Sequence, residues 1–253
     1  MPTNSTFSDV PFRSILRQVK GDAGVPLGGC KYLQIDVPVD RAAVKKILPW
    51  GLWPTNPPMA MLTASRYETF PLGAPFGESA FNIYVNTPFG KGIHCAWIVV
   101  DDDCSLIGGR DFLGYPKKIA DFSFRDSDKH ISATISRCGA PLISLEADIL
   151  EKEEHPAPVY GVKHFNMGGP GNLVFFSPLW LFKAKEKIYE SYSVKATLKL
   201  GDSERDPLAK FISGDPVGGR MTILDSHGIR YMLPVGITGG IRWFSNTFAM
   251  RFR

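Results

Sequence analysis

Ile143-Ser144-Leu145-Glu146-Ala147-Asp148-Ile149 alternates apolar and polar residues without a break. In an extended chain successive side chains point to opposite faces, so Ile143, Leu145, Ala147 and Ile149 share one face. Ser144, Glu146 and Asp148 occupy the other. The pattern predicts a half-buried antiparallel strand. Working outward, the same period of two recurs at Phe122-Ser123-Phe124 and over residues 131–135, and upstream over 81–85 and 93–99. Residues 31–37, 59–70, 173–176, 192–200 and 220–224 read as further strands. Asp225-Ser226-His227-Gly228 reads as a four-residue hairpin turn into a strand over 229–235.

Helical spacing is confined to short pieces. Phe12, Ile15, Leu16 and Val19 make a stripe over 11–20. A second stripe, Ala43, Val44, Ile47 and Leu48, follows Asp40 as its N-cap and stops at Pro49. Residues 50–58, with Trp50, Trp53 and three prolines, form a loop that either walls a pocket or packs a barrel end. Asp101-Asp102-Asp103 reads as a solvated turn, because calcium loops space their ligands at alternate positions. Gly168-Gly169-Pro170-Gly171 lacks the ending of a phosphate cradle and reads as a turn. Many short alternating strands with a few short helices predict an α+β, mostly β chain. The expected architecture is one domain over 1–253, built on an antiparallel β-barrel-like sheet.

Composition narrows the functions. Apolar residues make up 44% and charged residues 21%, ordinary for a globular chain of 253 residues. The net charge is only +4, and no run of Lys or Arg exceeds two residues, so a nucleic-acid partner is not expected. No apolar run approaches the length of a membrane span, and residues 1–10 lack the features of a signal peptide. Cys30, Cys95, Cys104 and Cys138 are widely spaced, which fits a reducing cytoplasmic setting. The histidines at 94, 130, 155, 164 and 227 show no metal-ligand spacing, and no glycine fingerprint for a dinucleotide follows a strand. Neither a metal nor a cofactor is expected.

One stretch sets up chemistry: Gly109-Arg110-Asp111-Phe112-Leu113-Gly114-Tyr115-Pro116-Lys117-Lys118. A lysine acts as a nucleophile only when unprotonated, so its pKa must fall from about 10.4. Burial and a neighbouring cation both disfavour the ammonium form. Two lysines in a loop are ordinarily solvated, but the longer string resembles the Gly-Arg-Glu-x-x-x-Tyr-Pro-Lys-Lys signature of the acetoacetate decarboxylase family. Acetoacetate decarboxylase is itself a standing example of a lysine activated by a cationic neighbour. The resemblance implies that Lys117 forms a Schiff base and that Lys118 lowers its pKa. Gly77-Glu78-Ser79 is similar to the family's Glu-Ser loop, which implies that Glu78 lies beside the lysine and transfers protons. Arg110, Tyr115 and Tyr84 are the expected substrate-binding residues.

The chain also departs from that family. Cys30 stands where acetoacetate decarboxylases carry a substrate-site arginine, and a second glutamate is missing near Leu62 and Thr63. The expectation is imine chemistry on a changed small oxo acid, with decarboxylation of an acetoacetate-like β-keto acid first. An aldolase-dehydratase joining pyruvate to an aldehyde through the same imine is the alternative. A non-catalytic barrel that binds a small molecule is a third reading. Barrels of this family imply a homo-oligomer.

Overall fold

A computed structural model describes residues 26–71, 73–173 and 175–253; the predicted helix over 11–20 lies outside them. The chain is mostly β, as the alternation predicts. Strands β1 (Leu27–Pro38), β2 (Trp53–Pro54), β3 (Met59–Tyr67), β4 (Phe76–Thr87) and β5 (Gly90–Val100) come first. Next come β6 (Lys117–Ile119), β7 (Asp121–Asp126), β8 (His130–Arg137), β9 (Ala140–Lys152) and β10 (His164–Met167). Two long strands, β11 (Phe176–Leu200) and β12 (Gly218–Gly239), complete the sheet.

The strand order β10-β5-β4-β3-β1-β12-β11 closes on itself because β10 also pairs with β11. This makes a seven-stranded barrel. Beyond β11 the sheet continues through β9, β8 and β7. The alternation of β9 is realised as read: Ile143, Leu145 and Ala147 are buried. They join Ile131 and Ile135 of β8 and the barrel residues Leu33, Ile35, Leu62, Phe81 and Trp97 in one core cluster. Each fully buried side chain of this kind contributes about 1.5–3 kcal/mol relative to exposure. A smaller cluster, with Cys30, Tyr32, Tyr67, Phe76, Val100 and Leu224, packs beside the site described below.

Among the described residues three α-helices accompany the sheet. α1 (Arg41–Ile47) starts where the sequence predicts, with the Asp40 carboxylate accepting from Ala43 N and Val44 and Ile47 buried. α2 (Asp103–Leu113) replaces the predicted solvated turn. Asp102 is its N-cap, accepting from Ser105 N, and Gly114 ends it in the left-handed conformation at φ 70°. Gly108 and Gly109 in its middle disguise the helix, since glycine disfavours helix interiors. α3 (Ile241–Arg251) lies in the tail.

Two other expectations need correction. Residues 225–228 are not a hairpin turn. They run within β12, where Asp225 and Ser226 pair with Lys187 and Glu186, and register shifts in the β11–β12 ladder absorb their irregular pattern. Glu78 is not in a loop either: β4 begins at Phe76, and Glu78 pairs with Ser65 on one side and Val100 on the other.

Candidate active site

Lys117 opens β6, a three-residue strand held parallel to β5 with Lys117 opposite Ile98. Its approach is built by α2. The Tyr115 amide donates to Gly109 O (3.0 Å) at the helix end, and Arg110 Nη1 donates to Lys117 O (2.8 Å). Ser105 and Gly109, four apart, share the buried face of the helix that meets the lysine. A Cβ at Gly109 would sit 2.5 Å from Lys117 Cε, so only glycine lets the side chain pass unmoved.

The Lys117 amine is buried and triply contacted. Nζ lies 2.7 Å from Glu78 Oε2, donates to Ser105 Oγ (2.8 Å) and sits 5.5 Å from the centre of the Phe76 ring. The other Glu78 oxygen, Oε1, accepts from the Tyr67 hydroxyl (3.3 Å). That hydroxyl is in turn hydrogen-bonded to the Tyr160 hydroxyl. Burial, reinforced for Tyr67 by the Glu78 charge, pushes both phenols well above their usual range, so they stay protonated. Cys30 lies fully buried behind the pair, its thiol against Tyr160 and Tyr67, and burial raises its pKa strongly. The position at which the family's arginine was expected is therefore a neutral, inward-packed group.

Lys118 is not where the motif reading puts it. Adjacent residues of a strand face opposite sides, and the Lys118 amine is hydrogen-bonded to Asp206 Oδ1 and to Ala249 O (3.1 Å). Asp206 is also held by Trp97 Nε1 (2.7 Å) and Arg137 Nη1 (2.9 Å). Burial pushes Lys118 down to about 8 against the pull of Asp206. Burial works to raise Asp206, but the hydrogen bonds from Lys118, Trp97 and Arg137 hold its carboxyl below the usual value. Lys118 thus ties β6 to Asp206 and to α3, and its charge is met on the far side of the strand from Lys117.

A cavity of about 270 Å³ opens in front of the Lys117 amine. Its walls come from α2 (Ser105, Gly108, Gly109, Phe112), from the site strands (Tyr67, Phe76, Glu78) and from β11–β12 (Phe182, Ala184, Ile229). Tyr115 lines it, its hydroxyl paired with His164 Nδ1 (3.1 Å) and its ring edge-on to Phe182. Burial pushes His164 down to about 3, so that imidazole is neutral. Among the described lining residues, Lys117 is the only lysine or arginine and Glu78 the only carboxylate.

Tyr84 and Arg110 lie outside this lining. Tyr84 is six residues beyond Glu78 on β4, roughly 20 Å along an extended strand, and its hydroxyl donates to Asp36 (2.6 Å). Arg110 braces backbone instead: besides Lys117 O it reaches Arg251 O (3.4 Å), and its guanidinium lies over the Phe252 ring. Trp50 and Trp53 are exposed and take no part in the cavity. Sequence reading missed Ser105, Tyr67 and Tyr160. Ser105 had one signal, its place three residues after a capping aspartate; the two tyrosines had none.

Solved structures share the fold. An acetoacetate decarboxylase matches with a TM-score of 0.72 at 16% identity, over 89% of this chain and 98% of its own. The acetoacetate decarboxylase of Legionella pneumophila matches at 0.70 and 14% identity, over 83% and 85%. The enduracididine biosynthesis enzyme MppR, complexed with pyruvate, matches at 0.67 and 16% identity, over 79% and 87%. No curated protein matches significantly in sequence. A family model described as acetoacetate decarboxylase covers residues 15–234. Spanning most of the sequence, that match makes the chain a member of the acetoacetate decarboxylase family.

Proposed function

We propose that the protein is a Schiff-base lyase that decarboxylates a β-keto acid through Lys117. The observation that carries this reading is the 2.7 Å pairing of Lys117 Nζ with Glu78 Oε2 at the wall of a largely apolar cavity. Transfer of a proton along that contact frees the amine lone pair, which attacks the ketone carbon. Glu78 then protonates the departing hydroxyl, and water leaves to give the iminium. The bond to the carboxylate breaks next. Its electrons pass into the iminium, CO₂ departs and a neutral enamine remains. Glu78, reprotonated from solvent water, then protonates the enamine carbon, and attack of a second water on the resulting iminium releases the ketone and the free amine.

The cavity's charge favours loss of CO₂ over aldol chemistry. A pyruvate-type donor keeps its carboxylate throughout, and that group needs a cationic partner at every step. A β-keto acid loses its carboxylate as negative charge disappears, a change that an apolar wall assists. The pyruvate bound by MppR keeps the second reading in play, because the two chains share a fold.

Borohydride trapping with acetoacetate and with pyruvate, followed by peptide mapping, tests the proposal. An adduct on Lys117 with the mass of reduced acetone supports decarboxylation. An adduct that retains pyruvate's carboxylate supports the aldolase reading instead. The absence of any adduct with either compound overturns both small substrates and leaves a different carbonyl substrate or a binding protein.

A further inference from the structure

We infer that the preferred substrate is a 3-oxo acid whose acyl substituent is apolar and bulky, a medium-length alkyl chain or an aryl ring, rather than a methyl group. The inference rests on the Schiff-base reading above and adds what that reading leaves open, the group on the far side of the ketone.

Size is the first argument. A cavity of about 150 Å³ accepts benzene, so 270 Å³ takes nearly twice that bulk. A four-carbon oxo acid fills only about half of it. The remainder would hold water against walls that offer it little.

The chemistry of those walls is the second argument. Away from Lys117 and Glu78 the lining is mainly apolar and aromatic, with Phe70, Phe76, Phe112, Leu113, Phe182 and Ile229 beside a few polar groups such as Ser226 and His227. Phe70 packs edge-on to Phe76 at 5.1 Å, so the aromatic wall behind the amine continues away from it. Phe112 lines the cavity yet is 54% exposed, an aromatic left for something else to cover.

At one place the protein leaves its own space unfilled. Gly108 is a helical residue on the lining, and a Cβ built there meets nothing within 4 Å. Alanine would suit the helix better by about 1 kcal/mol. Its neighbour Gly109 is glycine because Lys117 needs the room; among the described residues no atom needs the room at Gly108.

The test is a series of kcat/KM values for 3-oxobutanoate, 3-oxohexanoate, 3-oxooctanoate and 3-oxo-3-phenylpropanoate, with CO₂ release as the readout and borohydride trapping run on each. Burying a methylene is worth about fourfold in affinity, so kcat/KM should rise on the order of 100-fold from the four-carbon to the eight-carbon acid. Gly108→Leu, which fills the gap, should lower kcat/KM for the eight-carbon acid at least tenfold more than for the four-carbon acid. Gly108→Ala, compatible with the helix, should move the ratio in the same direction by a smaller factor. A flat or falling series with adducts on Lys117 overturns the bulky substituent and leaves the lysine chemistry standing. No adduct and no CO₂ from any member overturns the Schiff-base reading, and this inference falls with it.

Discussion

Lys117 and Lys118 are joined by one peptide bond, yet their amines face opposite sides of β6, Lys117 on Glu78 and Lys118 on Asp206. The neighbouring-charge account of lysine activation expects both ammonium groups in one place. Here the second is paired with a carboxylate that Arg137 and Trp97 also hold. Lys118→Met should therefore act mainly on stability. It removes one of three partners of a buried carboxylate, at a cost of about 1–3 kcal/mol in urea unfolding. The pH profile of kcat/KM should stay within a few tenths of a unit. A shift of a full unit to higher pH would restore the neighbouring-charge account.

Lys117→Arg keeps the positive charge and the ion pair but cannot form an imine, because guanidinium stays protonated. Turnover should fall on the order of 10⁶-fold, the scale seen when a covalent nucleophile is removed. The borohydride adduct should vanish, and the melting temperature should stay within a few degrees. Retained activity in this folded variant sinks the mechanism.

Glu78→Gln preserves shape and the contact with Tyr67 while ending proton transfer. A loss of about 10²–10⁴-fold in kcat is expected, with trapping at Lys117 slower but still directed to that residue. Unchanged kcat would reduce Glu78 to an ion-pair partner.

Gly109→Ala probes the passage past α2. Its new methyl meets Lys117 Cε and Cδ at 2.5 and 2.6 Å, and the flexible lysine must give way. Misplacing a reacting group by about an ångström costs about 10²-fold in rate. Alanine favours the helix, so thermal stability should be level or higher. An active Gly109→Ala protein would show that the amine reaches substrate by another path.

Acid lability should follow from two buried imidazoles. Burial pushes His94 down to about 4, against a hydrogen bond with Phe165 O, and His164 down to about 3. Both values lie below the unfolded value of about 6.5. Between those limits the unfolded chain binds more protons, so stability is full above pH 6.5 and declines as pH falls toward 4 and 3. The combined loss amounts to several kcal/mol. Urea midpoints at pH 7 and pH 4.5 should differ accordingly, and His94→Gln should remove about half of the difference, leaving the share of His164. Equal midpoints for the wild type would show that neither imidazole is held neutral.

Much of the barrel was legible because its strands are half-buried. Where one face meets the core, the period of two is written into the side chains, as in β9 with Ile143, Leu145 and Ala147 inward. α2 was not legible, since its stripe is weak and Gly108 and Gly109 lower its helix propensity. Both glycines line the cavity, so the residues that hide α2 in the sequence are the ones that shape the site.

The sequence by itself determined the strand pattern, the Asp40-capped helix and the string around Lys117, because these rest on local periodicity, capping and motif chemistry. Which lysine meets Glu78 and which meets Asp206, the placement of Tyr67 and Tyr160 behind the carboxylate, and the exclusion of Tyr84 from the cavity were decided by the tertiary structure. Those relations join residues from 11 to 93 positions apart. Strand pairing and packing across the barrel bring such partners within hydrogen-bonding distance, and no local pattern in the chain records them.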